Sequence, residues 1–298
     1  MNWTGSRIPE QLFPYLLLAP VVFLVTTGVL VPIGYMVSLG FYDFSPYLAR
    51  VSTWVGVGNY VQVLADPVFW SSLRASIFWV VGSVVPQFLL GLAMALVLNQ
   101  TFKGRGLVRT IVLAPWAVSG VVTGTIWLWL FDGTIGYVND LLIRFDVIAY
   151  PVAWGIYPET AWLTVLLANA WRGAPFFAIV LLAALQAIEP QLYEAAKIDG
   201  ATRWNRFRHI TVPLIANAIV LTTLLRALWT FNFIDLIWMM TRGGPMDATK
   251  TLPLYIFDVA YQQGDFGYAA SLSAVLCLIL MGFAACYWQL HRLVHREG

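Results

Sequence analysis

Six blocks of mostly apolar residues, each long enough to cross a membrane, dominate this chain of 298 residues. They run roughly over Leu12–Leu39, Leu73–Leu98, Leu107–Phe131, Ala161–Ala187, Val212–Ile234 and Ala269–Leu290. A helix needs ~20 such residues to span ~30 Å of hydrocarbon. Membrane strands would show shorter segments of alternating hydrophobicity, and these blocks do not alternate. The pattern predicts an all-α membrane protein with six transmembrane helices. Composition agrees. Charged residues make up 11% of the chain, against about 25% in a soluble domain.

Charge orients the spans. With the N-terminus inside, the inner segments carry Arg7, Lys103, Arg105, Arg109, Lys197, Arg203, Arg206, Arg208, Arg292 and Arg296. The outer ones carry Arg50, Arg74, Arg144, Arg242 and Lys250, which leaves Arg172 and Arg226 within spans. This bias follows the positive-inside rule and predicts cytoplasmic termini for a multi-pass protein in the lipid bilayer. The first block has no small-residue cleavage site after a short apolar core, so it reads as a retained helix. Cys277 and Cys286 lie two and a half turns apart in the last span, on opposite sides, and cannot pair. A net charge of +2 gives no reason to expect a nucleic-acid partner.

Missing motifs narrow the chemistry. The chain has no Gly-x-x-x-x-Gly-Lys-Ser/Thr loop to cradle ATP. No His or Cys cluster has metal-ligand spacing, and the membrane interior offers no base for a Ser/His/Asp arrangement. The expectation is a membrane protein with no catalytic, metal or cofactor site of its own. The outer loops are rich in Trp54, Tyr60, Trp70, Tyr150, Trp154 and Tyr157. Most of these fit the aromatic belt at the membrane surface.

The inner connection between the fourth and fifth spans runs from Glu189 to Pro213. Pro190 suits the first position of a helix, Glu194, Ala195 and Ala196 favour helix, and Gly200 permits a left-handed cap after Asp199. Thr202 can cap a second short helix before Pro213 opens the fifth span. The result is a helix–turn–helix on the cytoplasmic face. Its two alanines leave a low surface among the apolar Tyr193, Ile198 and Trp204, with Arg203, Arg206 and Arg208 as a rim. The spacing Glu194-Ala195-Ala196, Gly200, Ile210, Pro213 resembles the EAA loop of permease subunits in binding-protein-dependent ABC importers, with Val212 where the family prefers Leu. Gly56-Val57-Gly58-Asn59-Tyr60, Gly136-Tyr137-Val138-Asn139 and Thr241-Arg242-Gly243-Gly244-Pro245 are similar to signatures of its sugar-permease branch, the relatives of the maltose and glycerol-3-phosphate transporters.

That resemblance implies a type I ABC importer transmembrane domain in the cytoplasmic membrane of a prokaryote. It also implies four partners: a second homologous permease subunit, a dimer of ATPase subunits that binds ATP and Mg, an extracytoplasmic solute-binding protein, and a sugar. Glu194, Ala195, Ala196, Asp199 and Gly200 would then form the coupling helix and its end, held in a cleft of the ATPase. Residues 1–71 would hold the first span and first external loop, 72–291 the importer domain with the coupling loop 188–213, and 292–298 a cytoplasmic tail.

A charge near the bilayer centre costs at least ~2.5–3.5 kcal/mol, so it needs an interior-facing reason. Arg172 lies mid-span beside Gly173 and Pro175, and Asn169, Arg172, Gly173 and Phe176 share a helical face. In the fifth span Trp229, Asn232 and Phe233 share another, with Asp235 at its outer end. Each face mixes polar groups with aromatic rings, as a small-molecule site does. The resemblance implies substrate contacts at Asn169, Trp171, Gly173, Phe176 and Asn232. Helix packing is the competing explanation for both faces, and Arg226 reads as structural, paired at a subunit interface. An ion-coupled secondary transporter or channel subunit stands as the alternative function. It would call for intramembrane carboxylates, which spans two to four and six lack.

Overall fold

The computed structural model describes residues 13–47 and 52–294. Leu12, Arg7, Arg50 and Arg296 lie outside the described residues. In chain order the helices are α1 (Phe13–Val25), α2 (Val31–Leu39), α3 (Gly58–Ala65), α4 (Pro67–Leu98), α5 (Arg105–Ala117), α6 (Gly120–Leu130) and α7 (Tyr137–Arg144). They continue as α8 (Pro158–Gln186), α9 (Pro190–Ile198), α10 (Arg203–Arg206), α11 (Val212–Phe231), α12 (Asp235–Met240), α13 (Leu252–Phe257) and α14 (Phe266–Val294). Two short strands, β1 (Tyr42–Asp43) and β2 (Thr53–Trp54), pair antiparallel, Tyr42 opposite Trp54. Five helices among the described residues are long and apolar enough to cross a membrane, and six if a bent pair counts as one span.

Three of the six expected spans are not simple rods, the first because a π-helical turn (Thr26–Leu30) joins α1 to α2. The third is broken: α5 and α6 meet at 97°. Pro115 removes a donor from the ladder, Val118 and Ser119 are extended, and the Ser119 side chain accepts from Val122 N–H at 3.3 Å to start α6. The fifth is longer at its inner end. The expected second cytoplasmic helix is not separate, because α10 runs through a π-helical turn (Phe207–Thr211) into α11. Pro213 has no N–H to give, and the π turn before it shifts the ladder, with Val212 N–H reaching the Phe207 carbonyl. Thr202 does cap this rod, accepting from Asn205 N–H at 3.2 Å.

The contacts fall into two compact units, residues 1–66 with 256–279, and 67–255 with 280–298. In the first, Asn59 is a strut: its amide donates to the Gly40 and Tyr42 carbonyls, both at 3.0 Å. Phe41 stacks on Trp54, and the Tyr268 hydroxyl donates to Asp66 at 2.8 Å. In the second, α4 and α8 run side by side with Gly91 against Phe177, Ala174 and Ala178, the close approach that small residues allow. Val84, Ala95, Phe177, Leu181, Leu185, Ile215 and Ala227 bury together there, joining α4, α8 and α11.

The other two signature motifs are also scaffolding. Asn139 is buried, donates to Val152 O at 3.0 Å and accepts from Trp154 Nε1 at 2.9 Å. Thr249 donates to Gly244 O at 2.7 Å and meets the Thr241 hydroxyl at 2.7 Å, closing the turn after α12. Asp132 starts the loop that Asn139 ties down. It accepts from the N–H groups of Ile135 (3.0 Å) and Thr134 (2.8 Å) and from the Thr134 hydroxyl, and these bonds hold its carboxyl below the usual carboxylate range. A lowered carboxylate pKa contributes order that is complete above the ordinary range and lost as pH falls through the folded-state value. Protection from hydrogen exchange across 132–139, taken relative to the intrinsic rate at each pH, should therefore fall in acid for the wild type and be weak already at neutral pH in Asp132→Ala. Identical exchange in the two proteins at neutral pH would refute the anchoring role.

Candidate functional site

The cytoplasmic elbow is built as its residues require. Pro190 opens α9, and Gly200, at φ +77°, closes it. Ala201 N–H reaches the Ala196 carbonyl at 2.8 Å and Gly200 N–H the Lys197 carbonyl at 3.1 Å, the paired bonds of a Schellman end. The Tyr193 hydroxyl meets Thr211 at 2.9 Å, so α9 is tied to the root of the fifth span. Glu194, Ala195, Asp199 and Gly200 are exposed and Ala196 half-buried, while Ile198 is 87% exposed. Ile198 and Ala195 leave a small apolar patch uncovered on α9.

The intramembrane candidates gather between the break in the third span and the end of the fifth-span helix at Phe231. Arg172 lies midway along α8, and its Nε donates at 3.1 Å to the Val118 carbonyl. The break in the third span frees that carbonyl, and in hydrocarbon it must find a partner. The Arg172 guanidinium sits 4.6 Å from the centre of the Phe233 ring, and Asp235 attracts it. Phe233 and Asp235 press on Gly120, where a side chain would not fit. Phe176 adds rings on either side, with Trp229 at 5.2 Å and Trp116 at 6.2 Å, and Trp171 faces Trp127 at 6.1 Å.

The shared-face geometry expected for the fifth span needs correcting. α11 ends at Phe231, Asn232 caps it with its amide on the Leu228 carbonyl (3.0 Å), and Phe233 is outside the helix. The residues cluster where α11 gives way to α12, not along a helical face. On α8, Asn169 is 0% exposed and Gly173 is buried against Gln87 and Arg226, whereas Arg172, Phe176, Trp171, Trp229, Asn232 and Asp235 keep exposed or half-exposed surface. Arg226 is not at a surface. It is 5% exposed, and its Nε donates to Gln87 Oε1 at 2.6 Å, while Gln87 Nε2 donates to the Asn169 carbonyl at 2.9 Å. Sequence reasoning passed over Gln87, Trp116 and the Val118–Ser119 break. Pro115 and Ser119-Gly120 inside an apolar block were the available signal. Among the described residues no three His, Cys, Asp or Glu side chains are placed to hold a metal.

Residues 87–294 match the family described as binding-protein-dependent transport system inner membrane component. The chain belongs to this family. The trehalose/maltose transport system permease protein MalF of Thermococcus litoralis is 33% identical over 283 residues, covering 95% of each chain. The trehalose transport system permease protein SugA of Mycobacterium tuberculosis is 32% identical, over 94% of this chain and 89% of its own. A solved bacterial ABC transporter for import of the acidic polysaccharide alginate has a chain of the same fold, with TM-score 0.80 and 22% identity over 94% and 95% of the two chains. This inner membrane component is thus the multi-pass permease of a prokaryotic importer, working with an extracytoplasmic binding protein and a separate ATPase subunit that binds the nucleotide. It is not an enzyme, and the ion-coupled alternative gives way to the family match.

Proposed function

We propose that this permease carries a neutral di- or oligosaccharide, of the trehalose and maltose class, past the break in its third span and the end of its fifth. The supporting observation is the cluster that meets at that break. Broken helices in transporters mark binding sites, because backbone and polar side chains leave the regular ladder there. In this reading Trp171, Phe176 and Trp229 offer rings to the apolar faces of a sugar, and Asn232 an amide to its hydroxyls. Arg172 spends Nε on Val118 and its face on Phe233, leaving its terminal nitrogens for hydroxyls, with Asp235 balancing its charge. Asn169 and Gly173 stand behind this surface and set its position. The relatives named for trehalose and maltose support the substrate class.

The same proposal includes a second, homologous permease completing the path and an ATPase that grips α9 and its Gly200 end. Residues 72–291 form the importer domain in this reading, with 188–213 as the coupling loop. ATP drives the cycle only by binding the two orientations unequally. Uptake by the complete transporter in vesicles tests the substrate claim. Trp229→Ala and Asn232→Ala should each raise the half-saturating sugar concentration about tenfold, the effect of losing ~1.4 kcal/mol of contact. Wild-type uptake in both variants would move the site elsewhere.

A further inference from the structure

At the cytoplasmic end of the larger unit, Gln100, Tyr193, Arg203, Arg206, Phe207 and Thr211 line an open cleft of about 350 Å³. Its walls are fixed. The Tyr193 hydroxyl meets Thr211 at 2.9 Å, and Thr211 donates to the Arg206 carbonyl at 3.4 Å. No acidic side chain lines it, and among the described residues neither arginine has a carboxylate partner. Arg203 and Arg206, three residues apart, share a face of the helix. Beside them Trp204 is 65% exposed and lies 5.7 Å from the Phe207 ring. A bare Trp beside basic residues at the start of a span suits the headgroup level of the inner leaflet.

We propose that this cleft binds a phosphate group, carried by an anionic inner-leaflet lipid or by a soluble phosphate ester. Two guanidinium forks supply paired N–H donors that match phosphate oxygens, and Gln100 adds a neutral amide donor, while Tyr193 and Thr211, whose hydroxyl protons go to Thr211 and to the Arg206 carbonyl, shape the wall. Basic pockets between spans on the cytoplasmic side hold anionic headgroups for the same reason. Tyr193 belongs to α9, so an occupied cleft braces the elbow against the root of the fifth span. The elbow's outward surface at Ala195 and Ile198 is left free.

The test uses the complete transporter, purified and placed in lipid discs of phosphatidylcholine alone or with phosphatidylglycerol. Native mass spectrometry reads retained lipid, and thermal melts read stability with added inorganic phosphate at constant ionic strength. A lipid source predicts retained phosphatidylglycerol that falls about tenfold in the Arg203→Gln/Arg206→Gln variant. A soluble source predicts a phosphate-dependent rise in melting temperature in neutral discs, absent from that variant. Arg203→Lys/Arg206→Lys, which keeps the charge but loses the fork, should bind at an intermediate level and guards against misfolding of the Gln variant. The proposal is overturned if wild type and Gln variant retain lipid equally and neither responds to phosphate. It is also overturned if the Gln variant sheds its ATPase subunit, because the cleft then receives a protein carboxylate.

Discussion

Gly200→Asp should insert normally into the membrane, yet cut transport by on the order of tenfold to thirtyfold. Gly200 sits at φ +77° with nothing near its missing side chain, so the damage is conformational and not steric. A left-handed conformation costs an L-residue roughly 1–2 kcal/mol, somewhat less for Asp than for most. Either the Schellman end frays or α9 shifts, and the face around Ala195, Ala196 and Ile198 no longer fits its partner. Losing one docking anchor costs ~2 kcal/mol or more, and each 1.4 kcal/mol is tenfold. Ala196→Phe should do the same without touching the turn, by adding bulk to the low surface. Gln191→Ala, exposed on the same helix, is the control and should change stability by less than ~0.5 kcal/mol. The measurements are uptake and ATP hydrolysis stimulated by the loaded binding protein. If both Gly200→Asp and Ala196→Phe keep stimulated hydrolysis and uptake, the elbow does not transmit the ATPase stroke.

Much of this molecule can be read without coordinates, for a physical reason. Hydrocarbon tolerates few polar residues, so Leu73–Leu98 or Ala161–Ala187 announce themselves by composition alone, and both spans stand. The elbow is legible because Pro190, Gly200 and Thr202 each act locally, through a missing N–H, a missing Cβ and a side-chain cap. What averages over a block hides is a break of two residues. Leu107–Phe131 reads as one rod although Val118 and Ser119 are extended, because its hydropathy is unaffected by the bend. Long-range placement is hidden too. Helical spacing puts Asn169 and Gly173 on the Arg172 face, but only the partners from residues 87 and 226 decide that they are inside. Likewise Asn59 and Asn139 looked like family signatures. Their amides are the bolts of two loops.

The same three-helix seam makes Gly173 a demanding position. The space its side chain would occupy is taken by Gln87 Cδ and Oε1 and by an Arg226 terminal nitrogen. Gly173→Ala should therefore destabilise the protein by ~2–4 kcal/mol. Helix propensity favours alanine by up to ~1 kcal/mol, but overpacking costs ~1–3. Displacing Gln87 also breaks its 2.6 Å bond to the Arg226 guanidinium, and a hydrogen bond to a charged group is worth ~1.5–3 kcal/mol. The steric and polar costs win. Thermal unfolding of the purified transporter checks this, and a double-mutant cycle separates collision from fragility. In a Gln87→Ala background only the Arg226 terminal nitrogen, the far end of a flexible side chain, remains in that space, so adding the methyl should cost less, giving non-additive effects. Additive losses would mean that Gly173 matters for some other contact. Non-additivity would place the cost in the contact of Gly173 with Gln87, which holds α8 against α4 one residue from Arg172.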